Sequence, residues 1–280
     1  MGWQVVNLRQ LYSGGNGDLF VGQRSDTHEN VVVKFLRDFH LEGARRYFAR
    51  EVRILRRGFS GVVPLLHADL DGPRPYYVMP YLPGGALTRW AGKLNEGQLR
   101  GVARAVAGTL ARLHAAGIAH GDVKPDNILL SQDGQLQLAD PLGNGWGCTV
   151  IFAVNRGGTP GYWAPEVAGG GSISKPGDVY SYGATLYHLA TGHRPEDGRR
   201  LTLDEHSYVA PAEVREAIAV CCQANAQARP GMPDVLRILR GELWADIQAM
   251  RTKGVLGALI AAGLVAVLLG SSSASGRGPS

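Results

Sequence analysis

The chain has 280 residues, 45% apolar and 19% charged, which is enough to bury a full core and too apolar for general disorder. Its formal net charge of +5 comes without a Lys/Arg-rich run or an alternation of aromatic and basic residues, which argues against nucleic acid as a partner; a solvated basic surface, or one facing an anionic membrane, fits the balance. Three cysteines (Cys148, Cys221 and Cys222) with no CxxC and no His/Cys cluster argue against a zinc site or disulfide framework and for reduced thiols.

In chain order, the N-terminal MGWQVVNLRQLYSGG has no apolar core and no cleavage site, so it does not read as a signal peptide, and Asn7 stands where a myristoylation signal needs Ser or Thr. LYSGGNGDLF (11–20) places glycines between two strands, where backbone N–H groups could approach phosphate; most glycine clusters are only turns. VGQR (21–24) and VVVKFL (31–36) read as strands around a polar turn. A helix is predicted from about Leu41 to Arg57 with Ala44, Phe48, Val52 and Leu55 on one face. YYVMPYL (76–82) reads as a buried strand ending at Pro83-Gly84-Gly85.

The character then turns helical. Leu99, Val102, Ala103, Val106, Leu110 and Leu113 recur at helical spacing, Asn95 with Gln98 forms an N-terminal cap, and Gly117 suits the C-terminal end. Further helices are predicted at 178–192, 211–224 and 231–243. A strand-rich lobe followed by a helical lobe leaves a cleft at their join.

HGDVKPDNILL (120–130) carries the chemistry: Asp122 as a base or hydroxyl-orienting acid, Lys124 as a cation and Asn127 as a metal-binding amide. Asp140 follows after the hairpin-like SQDGQLQLAD and supplies a second carboxylate for Mg²⁺. Lys34 ends an apolar strand and could meet phosphate, with Glu51 placed to hold it; alone, each is an ordinary surface charge. Phosphoryl transfer needs positioning and charge neutralisation more than covalent chemistry, and this set offers both.

The ordered series GGNG, VVVK, AREV, HGDVKPDN, ADPLG, GTPGYWAPE, DVYSYG and ARP resembles the eukaryotic-like (Hanks-type) bacterial serine/threonine protein kinases over about residues 11–243. The resemblance implies an α+β bilobal fold: a small β-rich lobe at 1–79, a hinge at 80–85 and a larger helical lobe at 86–243. It implies ATP and Mg²⁺ (or Mn²⁺) as cosubstrate and metal, and Ser/Thr hydroxyls of proteins as acceptors, the kinase itself included. By resemblance, Gly14 and Gly17 cover the phosphates, Lys34 contacts them while paired with Glu51, and Met79 backs the adenine pocket. Backbone groups near Tyr81 and Leu82 meet the adenine edge, and Leu19, Val32 and Leu129 sandwich the ring. Asp122 orients and deprotonates the acceptor, Lys124 steadies the transferring phosphate, and Asn127 and Asp140 hold the metal. Thr159 lies at the end of the activation segment, Glu166 pairs with Arg229, and Asp178 braces the catalytic loop.

The chain also departs from the pattern. Tyr12 replaces a loop glycine, Val32 a smaller residue over adenine and Pro80 an acidic hinge residue. Pro141 and Leu142 follow Asp140, which removes the aromatic ring that usually packs under the helix bearing Glu51 and puts that helix's position in question. Gly121 stands where an arginine usually pairs with a phosphorylated activation loop; with Thr149 as the sole hydroxyl between Asp140 and Gly157, activity is expected not to depend on such phosphorylation. Two rival readings follow. One is a pseudokinase acting as a binding module, suggested by the altered triplet and Val32. The other is a kinase-like small-molecule phosphotransferase, which shares HGD and the Asn but lacks Lys124, GTPGYWAPE and DVYSYG.

Residues 254–270, GVLGALIAAGLVAVLLG, carry no charge and as a helix would span roughly 26 Å, the short edge of a bilayer crossing. They read as a single membrane span, with a buried soluble helix as the alternative. Residues 244–253 would be juxtamembrane and 271–280 a short extracytoplasmic tail, too short for a sensor domain. Arg251 and Lys253 before the span against Arg277 after it place the kinase domain in the cytoplasm. Small residues at every fourth position, from Gly254 to Gly270, offer a face for a homodimer, though Ala/Gly-rich composition alone gives the same stripe.

Overall fold

The computed structural model describes residues 2–14, 17–142, 161–196, 201 and 210–252. Short β-branched and aromatic runs build an antiparallel sheet of β1 (Val5–Gly14), β2 (Gly17–Arg24), β3 (Asn30–Phe35), β4 (His67–Asp69) and β5 (Tyr76–Pro80), in the order β1-β2-β3-β5-β4. Period-two alternation splits β3: Val31 and Val33 pack with Val78 on one face, while Val32 joins the main core on the other, the face Lys34 shares.

Helix α1 (Glu42–Leu55) crosses that second face. Ala44, Phe48, Val52 and Leu55 are buried as their spacing predicts, and so is Glu51. After α1 the chain ties the lobes together, with Val63 N–H donating to Leu138 O at 2.9 Å and Leu138 N–H to Gly61 O at 2.8 Å.

The second lobe is helical: α2 (Glu96–Ala115), α3 (Pro165–Ala168), α4 (Lys175–Thr191), α5 (Ala212–Cys221) and α6 (Met232–Ile238). Asn95 and Gln98 exchange side-chain and backbone hydrogen bonds at 2.9 and 3.0 Å, the expected cap of α2. Ser174 caps α4, whose residues 177–189 are all buried, so it forms the axis on which the lobe packs. A small sheet, β6 (Gly85–Ala86), β7 (Ile128–Leu130) and β8 (Leu136–Leu138), sits under the cleft.

Several boundaries differ from expectation. The strand at 76–82 stops at Pro80, the helix at 178–192 begins at Lys175, and those at 211–224 and 231–243 shorten to Ala212–Cys221 and Met232–Ile238. Residues 244–252, expected as a juxtamembrane connection, form helix α7, and its Trp244 and Ile247 are buried in the main core. Among the described residues no helix is long and apolar enough to cross a membrane. The predicted span 254–270, the tail 271–280, Thr149 and Thr159 lie outside the described residues.

Candidate active site

Lys34, one of the last residues of β3, is 2% exposed and has two carboxylate partners. Its Nζ lies 2.8 Å from Glu51 Oε1 and 3.0 Å from Asp140 Oδ1, so β3, α1 and the segment after β8 meet at one ammonium. Tyr77 sits opposite Lys34 in the β3–β5 register and donates its hydroxyl to Glu51 Oε1 at 2.7 Å. Burial pulls the Lys34 ammonium down, but Asp140 and Glu51 more than offset it, and it stays protonated. Burial pushes Glu51 up to about 7 against the pull of Lys34, with Asp140 adding to the rise. Burial also opposes Asp140 ionisation, yet Lys34 holds that carboxyl below its ordinary value. With both carboxylates ionised the trio carries excess negative charge.

Pro141 does not displace the helix bearing Glu51. Phe48 of α1 packs on Tyr77 with ring centroids 5.3 Å apart, an aromatic support drawn from β5 instead of from the residue after Asp140. The Asp140 backbone is left-handed at φ 58°, a conformation that costs a non-glycine residue about 1 kcal/mol.

The catalytic-loop candidates are brought together as expected. Asn127 Nδ2 donates to Asp122 O at 2.8 Å and Asp122 Oδ2 at 2.7 Å, and Lys124 Nζ lies 2.8 Å from the same Oδ2. Ala139 N–H donates to Asn127 O at 2.9 Å, which sets Asp140 beside that amide. With its nitrogen engaged by Asp122, Asn127 offers its side-chain oxygen as an acceptor. That oxygen and the Asp140 carboxylate are hard donors of the kind Mg²⁺ takes, so the residues fit a divalent metal.

Asp178 of α4 reaches up to the loop. It accepts from His120 N–H at 2.6 Å, Gly121 N–H at 2.8 Å and the His114 ring at 2.8 Å. His120 is fully buried, its Nε2 has no partner among the described residues, and burial lowers its basicity. Gly121 has φ +88°, and a Cβ there would lie 2.9 Å from two carbons of Ile173 and 3.2 Å from Leu142 Cβ. Leu142 N–H donates to His120 O at 2.7 Å, so the chain after Asp140 is pinned across the loop.

The adenine-pocket candidates also converge. Val32 and Met79 are register partners and both buried, with Leu19, Leu82 and Leu129 packed around the same core. Tyr81 N–H is taken by Asn30 O at 3.2 Å, whereas Leu82 N–H has no acceptor among the described residues. Gly14 pairs with Gly17, and a Cβ on Gly17 would meet Phe35 O at 2.5 Å, so that glycine is also required by β3. Glu166 and Arg229 form a two-pronged pair at 2.6 and 2.8 Å. Tyr77, His114 and Ile173 were not singled out in the sequence: within apolar or helical runs they read as packing residues.

The protein kinase domain family model matches residues 5–238. Similar proteins include the DNA damage-responsive serine/threonine-protein kinase RqkA of Deinococcus radiodurans, 32% identical over 85% of this chain and 35% of the relative. Serine/threonine-protein kinase AfsK of Streptomyces coelicolor is 32% identical over 85% of this chain and 32% of its own length. Serine/threonine-protein kinase PknL of Mycobacterium tuberculosis is 33% identical over 68% of this chain and 49% of its own length. The matched chain thus spans about a third to a half of these relatives.

Proposed function

The chain belongs to the protein kinase family, and from that premise we propose that it is a serine/threonine protein kinase that transfers the γ-phosphate of ATP to protein hydroxyls, its own included. The observation that carries this reading is the buried Lys34 ammonium held between Glu51 and Asp140, beside an Asp122–Lys124–Asn127 set.

Bound at Asn127 and Asp140, a divalent metal would neutralise phosphate charge. Lys34 would draw in phosphate oxygens, with Glu51 fixing its position. Gly14 and Gly17 would leave room over the phosphates. The ring would lie between Leu19, Val32 and Leu129, with Met79 behind it and Leu82 N–H meeting the adenine edge. Asp122 would orient the acceptor hydroxyl and take its proton as the oxygen–phosphorus bond forms and the bond to ADP breaks, and Lys124 would steady the phosphate in transit. A pseudokinase is disfavoured because the altered triplet leaves the Lys34–Glu51 pair at 2.8 Å. The 280-residue chain with Mg²⁺-ATP should phosphorylate itself and a Ser/Thr-containing protein, and Asp122→Ala should lose about 10²-fold or more. Incorporation that survives the substitution would sink the reading.

The same proposal tethers the kinase to a membrane through residues 254–270, with residues 1–253 in the cytoplasm. Its support is 17 consecutive uncharged residues preceded by Arg251 and Lys253. Expressed chain should sediment with membranes and resist extraction by alkaline carbonate, and deletion of 254–270 should release it. Retention after the deletion would refute the tether.

A further inference from the structure

Helix α1 buries its apolar residues on one side and presents Arg46, Arg50, Arg53 and Arg57 along another. These positions are spaced at i, i+4, i+7 and i+11, so they line one stripe of the helix and its C-terminal turn, about 16 Å long. Arg46, Arg53 and Arg57 are exposed and Arg50 is half-buried. Only Glu42 answers this charge among the described residues, 3.4 Å from Arg46 with both side chains in solvent. Glu51, the other acid of α1, is turned to Lys34. Arg57 lies over the Phe59 ring at 4.8 Å.

Several arginines elsewhere in the fold are answered by acceptors. Arg45 donates to the Phe39, Leu70 and Pro73 carbonyls, and Arg24, Arg37, Arg74, Arg100, Arg237 and Arg251 each meet a carboxylate. Like charges at helical spacing cost a few tenths of a kcal/mol per pair, and solubility is served equally by mixed signs. The helix dipole offsets this repulsion at Arg53 and Arg57, at the C-terminal end, but the row of guanidiniums still presents unanswered positive charge that an external acidic segment can meet.

We propose that this stripe docks an acidic segment of a partner protein, its carboxylates meeting the guanidiniums of α1. Guanidinium donors match carboxylates in planar, two-pronged geometry, and the stripe's length suits an extended or helical peptide. A membrane surface is the less favoured occupant, because the chain leaves the described structure from α7, whose Trp244 and Ile247 pack in the helical lobe, whereas the stripe lies on the helix over the N-terminal sheet. Docking would bear on the helix that positions Glu51, but binding is read without turnover and so does not depend on the proposed reaction.

The test uses the 280-residue chain in detergent micelles and a fluorescein-labelled poly-glutamate peptide, followed by anisotropy at low and physiological ionic strength. Arg46, Arg53 and Arg57 changed together to Gln should weaken binding by about tenfold or more. A charge-matched control, Arg9, Arg215 and Arg240 to Gln, should leave it within about twofold, with circular dichroism verifying that both variants fold. Equal loss in the two variants would reduce the stripe to bulk charge and overturn the proposal. Stripe-dependent displacement of the peptide by phosphatidylglycerol-doped micelles, at concentrations where phosphatidylcholine has no effect, would overturn it in favour of a lipid surface. So would the absence of peptide binding.

Discussion

Arg229 has no exposed side-chain surface, yet all five of its guanidinium hydrogens have acceptors: two on Glu166 and three on the carbonyls of Gln223, Pro176 and Ala224. Removing the carboxylate would strand part of that charge. Glu166→Gln should cost about 2 kcal/mol near neutral pH, a buried-pair value discounted because Glu166 keeps about a third of its side chain in solvent. Burial opposes ionisation of Glu166, but the Arg229 hydrogen bonds outweigh it and lower the pKa. A carboxyl lowered on folding stabilises above its unfolded pKa, near 4.5, and loses that contribution as pH falls through the folded value. Urea midpoints of wild type and variant should therefore differ most at neutral pH and converge in acid; a gap that persists unchanged below about pH 3 would contradict the assignment. The charged site residues were legible through the ordered motif series, since alone Lys34 and Glu51 read as ordinary surface charges. Tyr77 was not, because its hydroxyl reaches Glu51 only through the β3–β5 register. The arginine stripe was missed because its members alternate with buried residues along α1 and form no run.

At the scale of elements, α1 and α2 follow from helical periodicity and, in α2, from a capping pair, whereas the three-residue β4 leaves no pattern to read and owes its pairing to β5. The catalytic loop shows how a glycine at a motif position can have a backbone cause. Gly121 reads in sequence as a missing arginine; in the fold it is a left-handed residue with Ile173 and Leu142 against it. Gly121→Ala should destabilise by at least about 1–2 kcal/mol from backbone conformation alone and lower phosphotransfer, because the same peptide plane feeds Asp178. Adding Ile173→Ala removes the contact but not the backbone penalty, so the double variant should regain part of the stability measured by urea denaturation. If it regains none, the close approach is not what fixes glycine there. Among the described residues, the start of the segment after Asp140 is held by the Leu142 N–H bond to His120 O and by the close approach of Leu142 to Gly121.

For the whole molecule, the decisive feature is that one core runs unbroken from Val32, Phe48 and Tyr77 through Val62 and Leu138 into the helical lobe and on to Trp244 and Ile247. The motif series ends near residue 243, which made the next ten residues look like a connector, since sequence motifs report chemistry and are silent about packing. The core does not end there. Ile247 is fully buried and Trp244 nearly so, and Arg251 adds an ion pair to Asp234 while lying 5.9 Å from the Trp244 ring. Burying two such side chains is worth about 1.5–3 kcal/mol each, and losing both would take a large share of the 5–15 kcal/mol typical of a folded domain. A chain ended at residue 252 should therefore unfold cooperatively, while one ended at 243 should lose several kcal/mol in urea denaturation and expose apolar surface to a dye such as ANS. Equal midpoints for the two would mean that α7 rests on a core already complete without it. If they differ as expected, the chain leaves residue 252 from a helix packed on the helical lobe, and the membrane span proposed at 254–270 would begin two residues further along the sequence.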